Sequence, residues 1–323
     1  MMRARFAWRP FRRPGGPGSS EPAGVAELVD APDSKSGGRK AVGVQVPPPA
    51  PSSDRQLGLQ GAVRLAAWRL EFEALPLPRI AAIRLRAPDP KAQMEFYCDI
   101  LGMREREDGT IGYADEEAGL LFEAGAGLYE MTSGDLYWKI SISVPNIDLA
   151  CQQLAEKGVA IEAPRQVGDI AFLAHFKDPA GFVIELIDHW FEGERPSQDI
   201  DGRRLGGGAH LSLLTLRSND IAQVESACEA MGMTPLSIVP APDRGFTLYF
   251  YGFASTQPPS SDLYAVENRT WVYQRPYTVL EVLHRPEPNP MSRPLDANAG
   301  YCGAQVSGFE HPFQDDHLWI SSA

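Results

Sequence analysis

The chain has 323 residues, 43% hydrophobic and 22% charged, with a formal net charge of −12. That is enough apolar material for two cored domains of ordinary size. So acidic a balance argues against a general affinity for nucleic acid or an anionic membrane surface, and no apolar run reaches the roughly 18 residues of a spanning helix. Cys98, Cys151, Cys228 and Cys302 lie far apart with no CxxC pair, which predicts reduced thiols in a cytoplasmic protein.

Residues 1–75 read as a disordered leader. Its stretch over residues 1–56 holds basic, Pro- and Gly-rich runs with little hydrophobic periodicity, so no packed core is expected there. The segment GVAELVDAPDSKSGGRKAVGVQVPPP (24–49) resembles the in-frame translation of a bacterial transfer-RNA gene, which implies a misplaced start.

From about residue 76 a pattern recurs: a short strand, a polar turn with Asp or Asn, an amphipathic helix, then Gly. It reads RIAAIRLRAPDPKAQMEFYCDILGM (79–103), YWKISISVPNIDLACQQLAEKGV (137–159) and HLSLLTLRSNDIAQVESACEAMGM (210–233). Ile147, Ala150, Cys151, Leu154, Ala155 and Val159 share one helical face. Gly102, Gly158 and Gly232 stand where a helix C-cap glycine belongs. In strand 137–144, Lys139, Ser141 and Ser143 alternate with Ile140, Ile142 and Val144, giving one polar and one apolar face. Each unit ends in a strand carrying a glutamate: GLLFEAG (119–125), GFVIELID (181–188) and YTVLEVLH (277–284). A fourth, incomplete unit opens with GYCGAQVSGFE (300–310), and 191–208 reads as a linker. The predicted class is α+β, with tandem βαβββ units forming half-open barrels. The expected domains are 76–190 (two units) and 209–323 (the second, truncated). The third unit, lacking a full partner at its C-terminal side, is expected to close against the second or to drive homodimerisation.

This repeat resembles the vicinal oxygen chelate superfamily (glyoxalase, bleomycin resistance and dioxygenase proteins), in particular lactoylglutathione lyases. The most specific stretch is KDPAGFVIEL (177–186), close to the family's FxDPDGxxIEL. MGMTPLSIVPAPDRGFTLYFYGF (231–253) with TVLEVLH after it is similar to a first unit of eukaryotic-type lyases. The resemblance implies a divalent metal, zinc or nickel, held by first-strand His or Gln and last-strand Glu residues, with glutathione as co-substrate. It maps the metal ligands to Glu123, Glu185 and Glu281 and the catalytic base to Glu185. The first-strand ligand positions hold Ala82, Lys139, Leu213 and Gly303, none of them a ligand of the usual kind, and Lys139 would repel a cation. Arg86 and Arg217, at the family's offset for binding a glutathione carboxylate, and with them Arg84 and Lys139, predict a cationic lining for a small anionic ligand. His175, His189, His210 and His284 lie near strand ends as further metal-ligand candidates. Two readings follow: a lactoylglutathione lyase-like enzyme, or a metal-free binding or sequestering module of bleomycin-resistance type. A ring-cleaving dioxygenase, which needs two His and a carboxylate on iron, fits least.

Overall fold

The computed structural model describes residues 77–192, 194–253, 256–286, 291–295 and 297–323. The leader expected over 1–75 lies outside the described residues.

Unit one comprises β1 (Arg79–Ala87), α1 (Pro90–Glu95), β2 (Arg104–Glu105), β3 (Ile111–Gly112) and β4 (Gly119–Ala124). A π-helical turn, Phe96–Ile100, continues α1. Unit two has β5 (Tyr137–Val144), α2 (Ile147–Glu156), β6 (Arg165–Val167), β7 (Ala171–Lys177) and β8 (Val183–Asp188). Unit three has β9 (His210–Ser218), α3 (Ile221–Ala230), β10 (Thr234–Ala241), β11 (Phe246–Gly252) and β12 (Val279–His284). In each unit the last strand lies parallel beside the first, so the order reads second, third, fourth, first. Asp89, Asn146 and Asp220 hold equivalent places. Each side chain accepts a hydrogen bond from the main-chain N–H three residues on, capping its helix. Gly102, Gly158 and Gly232 close the helical segments at φ of +81°, +83° and +72°, the left-handed geometry that glycine adopts without a Cβ penalty. The fourth unit contributes β13 (Gly300–Ser307), β14 (Gln314–Asp315) and β15 (Ile320–Ser322), with no helix between them.

The sheets do not follow the sequence grouping into 76–190 and 209–323. β5 pairs antiparallel with β9, joining units two and three into an eight-stranded sheet. β1 pairs antiparallel with β13, so unit one finds its partner in unit four, forming a seven-stranded sheet. Unit three thus closes against unit two within the chain. Each first strand gains a neighbour on its otherwise open edge, which removes a row of unpaired backbone groups. The stretch after β8 does more than link: Gly206 packs against Val144 and its N–H bonds the Gln153 side chain of α2.

The apolar faces of both sheets share one core, including Ile83, Leu85, Ile140, Ile142, Leu214 and Val306. A buried glutamate stitches the sheets together: Glu117, from unit one, accepts from the Leu211 N–H of β9 at 2.6 Å. A second apolar cluster occupies the other face of the eight-stranded sheet, with Leu213, Ile187, Leu248 and Phe250. Val272 and Tyr273 of α4 (Glu267–Tyr273), carried by the connection between β11 and β12, pack into that cluster. The repeat pattern gave no sign of this insertion.

Between β8 and β9 the rings of His189 and His210 lie 5.4 Å apart. Burial lowers His189 to about 4 and His210 to about 3, from an ordinary 6.5. Both stay neutral in the fold while the unfolded chain protonates them below 6.5. Their contribution is therefore present above about pH 6.5 and drains as pH falls toward 4 and then 3. His210→Gln is expected to flatten the melting-temperature profile over that window; an unchanged acid slope in the variant would contradict it.

Candidate functional site

On the face of the eight-stranded sheet that carries the second apolar cluster, the first and last strands of units two and three also bring a group of polar side chains together. At their meeting point Lys139 of β5 is 1% exposed, and Glu185 of β8 and Glu281 of β12 are each 4% exposed. The Lys139 ammonium donates to Glu185 Oε1 at 2.7 Å, to Glu281 Oε2 at 3.0 Å and to Thr215 Oγ1 at 3.1 Å. Ser141 Oγ also donates to Glu185 Oε1 at 2.8 Å, and Thr215 donates to Glu281. His175 of β7 stands opposite Glu185 in the β-ladder, its Nε2 3.0 Å from Glu185 Oε2.

Burial alone would depress the Lys139 ammonium, but Glu185 and Glu281 more than reverse this and hold its pKa above the ordinary value. Burial likewise works to raise Glu185, and Lys139 and His175 outweigh it, holding that carboxyl at about 2. The arrangement is a charge-assisted cluster in which the carboxylates are satisfied by protein donors.

Beside it opens a cleft of about 860 Å³, walled by Phe96, Trp138, Val183 and Phe246, with His175, Lys177, Arg217 and Arg285 among its polar groups. Trp138 stands at an irregularity of the β5–β9 ladder, and the Lys139 ammonium lies 4.4 Å from its ring centroid. On the same indole sits the Arg217 guanidinium, 5.3 Å from the centroid. Lys139 itself does not line the cleft.

Of the residues expected from sequence, Lys139, Glu185 and Glu281 converge, and Arg217 stands at the neighbouring cleft. Glu123 does not join them. It lies in the other sheet, in register with Arg86 and hydrogen-bonded to Arg84 Nε at 2.8 Å. Arg84 and Arg86 are therefore not part of this cleft; Arg86 is buried, donating to Cys302 Sγ and the Leu295 carbonyl. Leu213, expected at a ligand position, is buried in the apolar cluster, and Thr215 is the β9 residue opposite Lys139. Ala82 is a buried apolar residue paired with Gln305, and Gly303 lies opposite Arg84. Among the described residues no three His, Cys, Asp or Glu side chains group as a metal site, and the four cysteines are free. His175 belongs to the cluster as well, and the sequence holds a signal for it. In β7 its register about the 178–182 turn already faces it to Glu185, since Lys177 pairs with Val183.

Residues 79–186 match the family model described as Glyoxalase/Bleomycin resistance protein/Dioxygenase superfamily. A probable lactoylglutathione lyase of Vibrio cholerae is 32% identical over 125 residues, which is 34% of this chain and 91% of that protein. This chain belongs to the Glyoxalase/Bleomycin resistance protein/Dioxygenase superfamily. Within that superfamily it is also 31% identical to the lactoylglutathione lyase of Salmonella typhimurium over 126 residues, 34% of this chain and 92% of the relative. The crystal structure of a glyoxalase I mutant from Zea mays shares the fold, with a TM-score of 0.50 at 18% identity over 71% of this chain and 75% of that one. The superfamily match covers units one and two, neighbours in sequence that contribute to different sheets here. Among the described residues no helix is long and apolar enough to cross a membrane.

Proposed function

We propose that this superfamily member binds a small anionic ligand with an apolar body in the 860 Å³ cleft, and that it does so without zinc or nickel. The observation that carries this is the Lys139 ammonium, bonded to both Glu185 and Glu281. Zinc and nickel need lone pairs from imidazole, thiolate or carboxylate. Lys139 offers three N–H donors and no lone pair while charged, and Leu213 offers nothing. Both oxygens of Glu185 already accept from protein donors. The donor set does not fit the metal that the family resemblance implies, and an ammonium supplies the positive charge between the two carboxylates instead. The degraded ligand positions favour the binding-module reading over the lactoylglutathione lyase-like one.

The cleft's size is typical of small-molecule sites, and its apolar walls with a few placed cations suit an aromatic or aliphatic anion. A glutathione conjugate, the ligand class suggested by the lyase relatives' names, is one such anion.

Purified protein incubated with zinc or nickel and then dialysed is expected to retain well under one metal per chain by elemental analysis. Anilinonaphthalene sulfonate, an apolar anion, is expected to bind and to weaken on Lys177→Gln. One tightly held metal per chain, with glutathione-dependent turnover of methylglyoxal, would reverse the reading in favour of the enzyme.

A further inference from the structure

The buried ion cluster meets the cleft at one side chain. Trp138 roofs Lys139 at 4.4 Å, and of the groups bonded to one another around the ammonium only His175 lines the cleft. Its orientation is fixed from behind. Glu185 is an acceptor and has no hydrogen to give, so the hydrogen in the His175–Glu185 contact sits on Nε2. Glu185 in turn is held by Lys139 and Ser141 on its other oxygen. In the neutral ring this leaves the Nδ1 lone pair as the acceptor. Glu162 Oε2, 3.8 Å from Nδ1, is beyond hydrogen-bond range. Two residues on in β7, Lys177 also lines the cleft and is exposed. Side chains at that spacing share one face of a strand and start about 7 Å apart.

We propose that the cleft selects para-hydroxyaryl carboxylates, the ligand hydroxyl donating to His175 Nδ1 and the carboxylate reaching Lys177, with the aromatic ring between the apolar walls. Glu185 and, behind it, Lys139 are the positioning residues that set the tautomer of His175. This rests on the cleft being the ligand site, and it adds the ligand's polar pattern and the residue that reads it.

Calorimetry on the full chain with para-hydroxybenzoate, para-methoxybenzoate, ortho-hydroxybenzoate and benzoate tests it. The para-hydroxy compound is expected to bind about tenfold tighter than its methoxy analogue, the scale of one hydrogen bond to a buried acceptor. The ortho isomer, whose two groups are too close together, is expected to rank with benzoate. His175→Phe keeps a ring and removes the acceptor, so the ratio of para-hydroxy to para-methoxy affinity should fall to about one. Glu185→Gln distinguishes positioning from bulk. A Gln amide in place of Oε2 donates to Nε2, moves the imidazole hydrogen to Nδ1, and should turn the preference toward the methoxy acceptor. Equal affinity of the hydroxy and methoxy compounds for the unaltered protein would overturn the proposal without any variant. So would a preference that survives His175→Phe. If anilinonaphthalene sulfonate binds and no benzoate does, this ligand class falls and the cleft reading stands; if neither binds, both fall.

Discussion

Replacing Lys139 with methionine is expected to destabilise the fold by about 3–5 kcal/mol at neutral pH, the usual consequence of removing one partner from a buried ion pair. Methionine fills similar volume, so the loss is electrostatic in origin. Glu185 and Glu281 would be left as two buried carboxylates converging on one point without their cation. Adding Glu185→Gln and Glu281→Gln to Lys139→Met is expected to return most of the stability, because the orphaned charges then disappear. The pH dependence follows from the shifts. The raised Lys139 pKa contributes stability fully present below the ordinary 10.5 and lost as pH climbs through the folded value. Glu185, lowered from 4.5 to about 2, contributes stability present above 4.5 and lost as pH falls toward 2. Denaturant unfolding of the single and triple variants measures this. A single variant within about 1 kcal/mol of the unaltered protein would mean the ammonium does not sit between the two carboxylates as described.

That cluster was largely legible in the sequence. Strand alternation put Lys139 and Ser141 on one face, and the KDPAGFVIEL stretch put Glu185 on the strand beside them. Local pattern gives no access to facts that depend on how strands pair at a distance. The nesting of unit one with unit four around units two and three is one such fact, since each unit carries the same local signal whichever neighbour it meets. The exchange of Leu213 for Thr215 beside Lys139 is another. It depends on the β5–β9 pairing, which sets Lys139 opposite Thr215 and Ser141 opposite Leu213, and no pattern within either strand fixes that register. Glu123 misses the cluster because of the first fact: unit one pairs with unit four, so β4 lies in the other sheet, where Glu123 stands in register with Arg86 and bonds Arg84.

Asp178→Ala is expected to cost about 3 kcal/mol, because several donors lose one buried acceptor. Oδ1 accepts from the Ala180 and Phe182 main-chain N–H groups at 3.0 and 2.9 Å, closing the β7–β8 turn. Oδ2 accepts from the Tyr97 hydroxyl at 3.0 Å and from the Gln93 amide. These last two belong to α1 and the π-helical turn of unit one, so a single carboxyl clamps the first unit onto the second. The clamp also holds a cleft wall, since Phe96 and Ile100 of that turn line the cavity. Asp178→Ala should therefore weaken anilinonaphthalene sulfonate binding as well as the fold. Burial pushes this carboxyl up to about 7 against the pull of its donors. With the folded pKa above the ordinary 3.8, its contribution is fully present below that value and fades as pH rises through about 7. Asp178→Asn keeps an acceptor for the two main-chain N–H groups and carries no charge at any pH. It is expected to cost little near pH 8, where the native carboxyl is ionised in a buried place, and more near pH 5. Unfolding midpoints of the native chain and both variants at those two pH values test the assignment. The same cost for Asp178→Asn at both would show that the ionisation of Asp178 is not coupled to the fold.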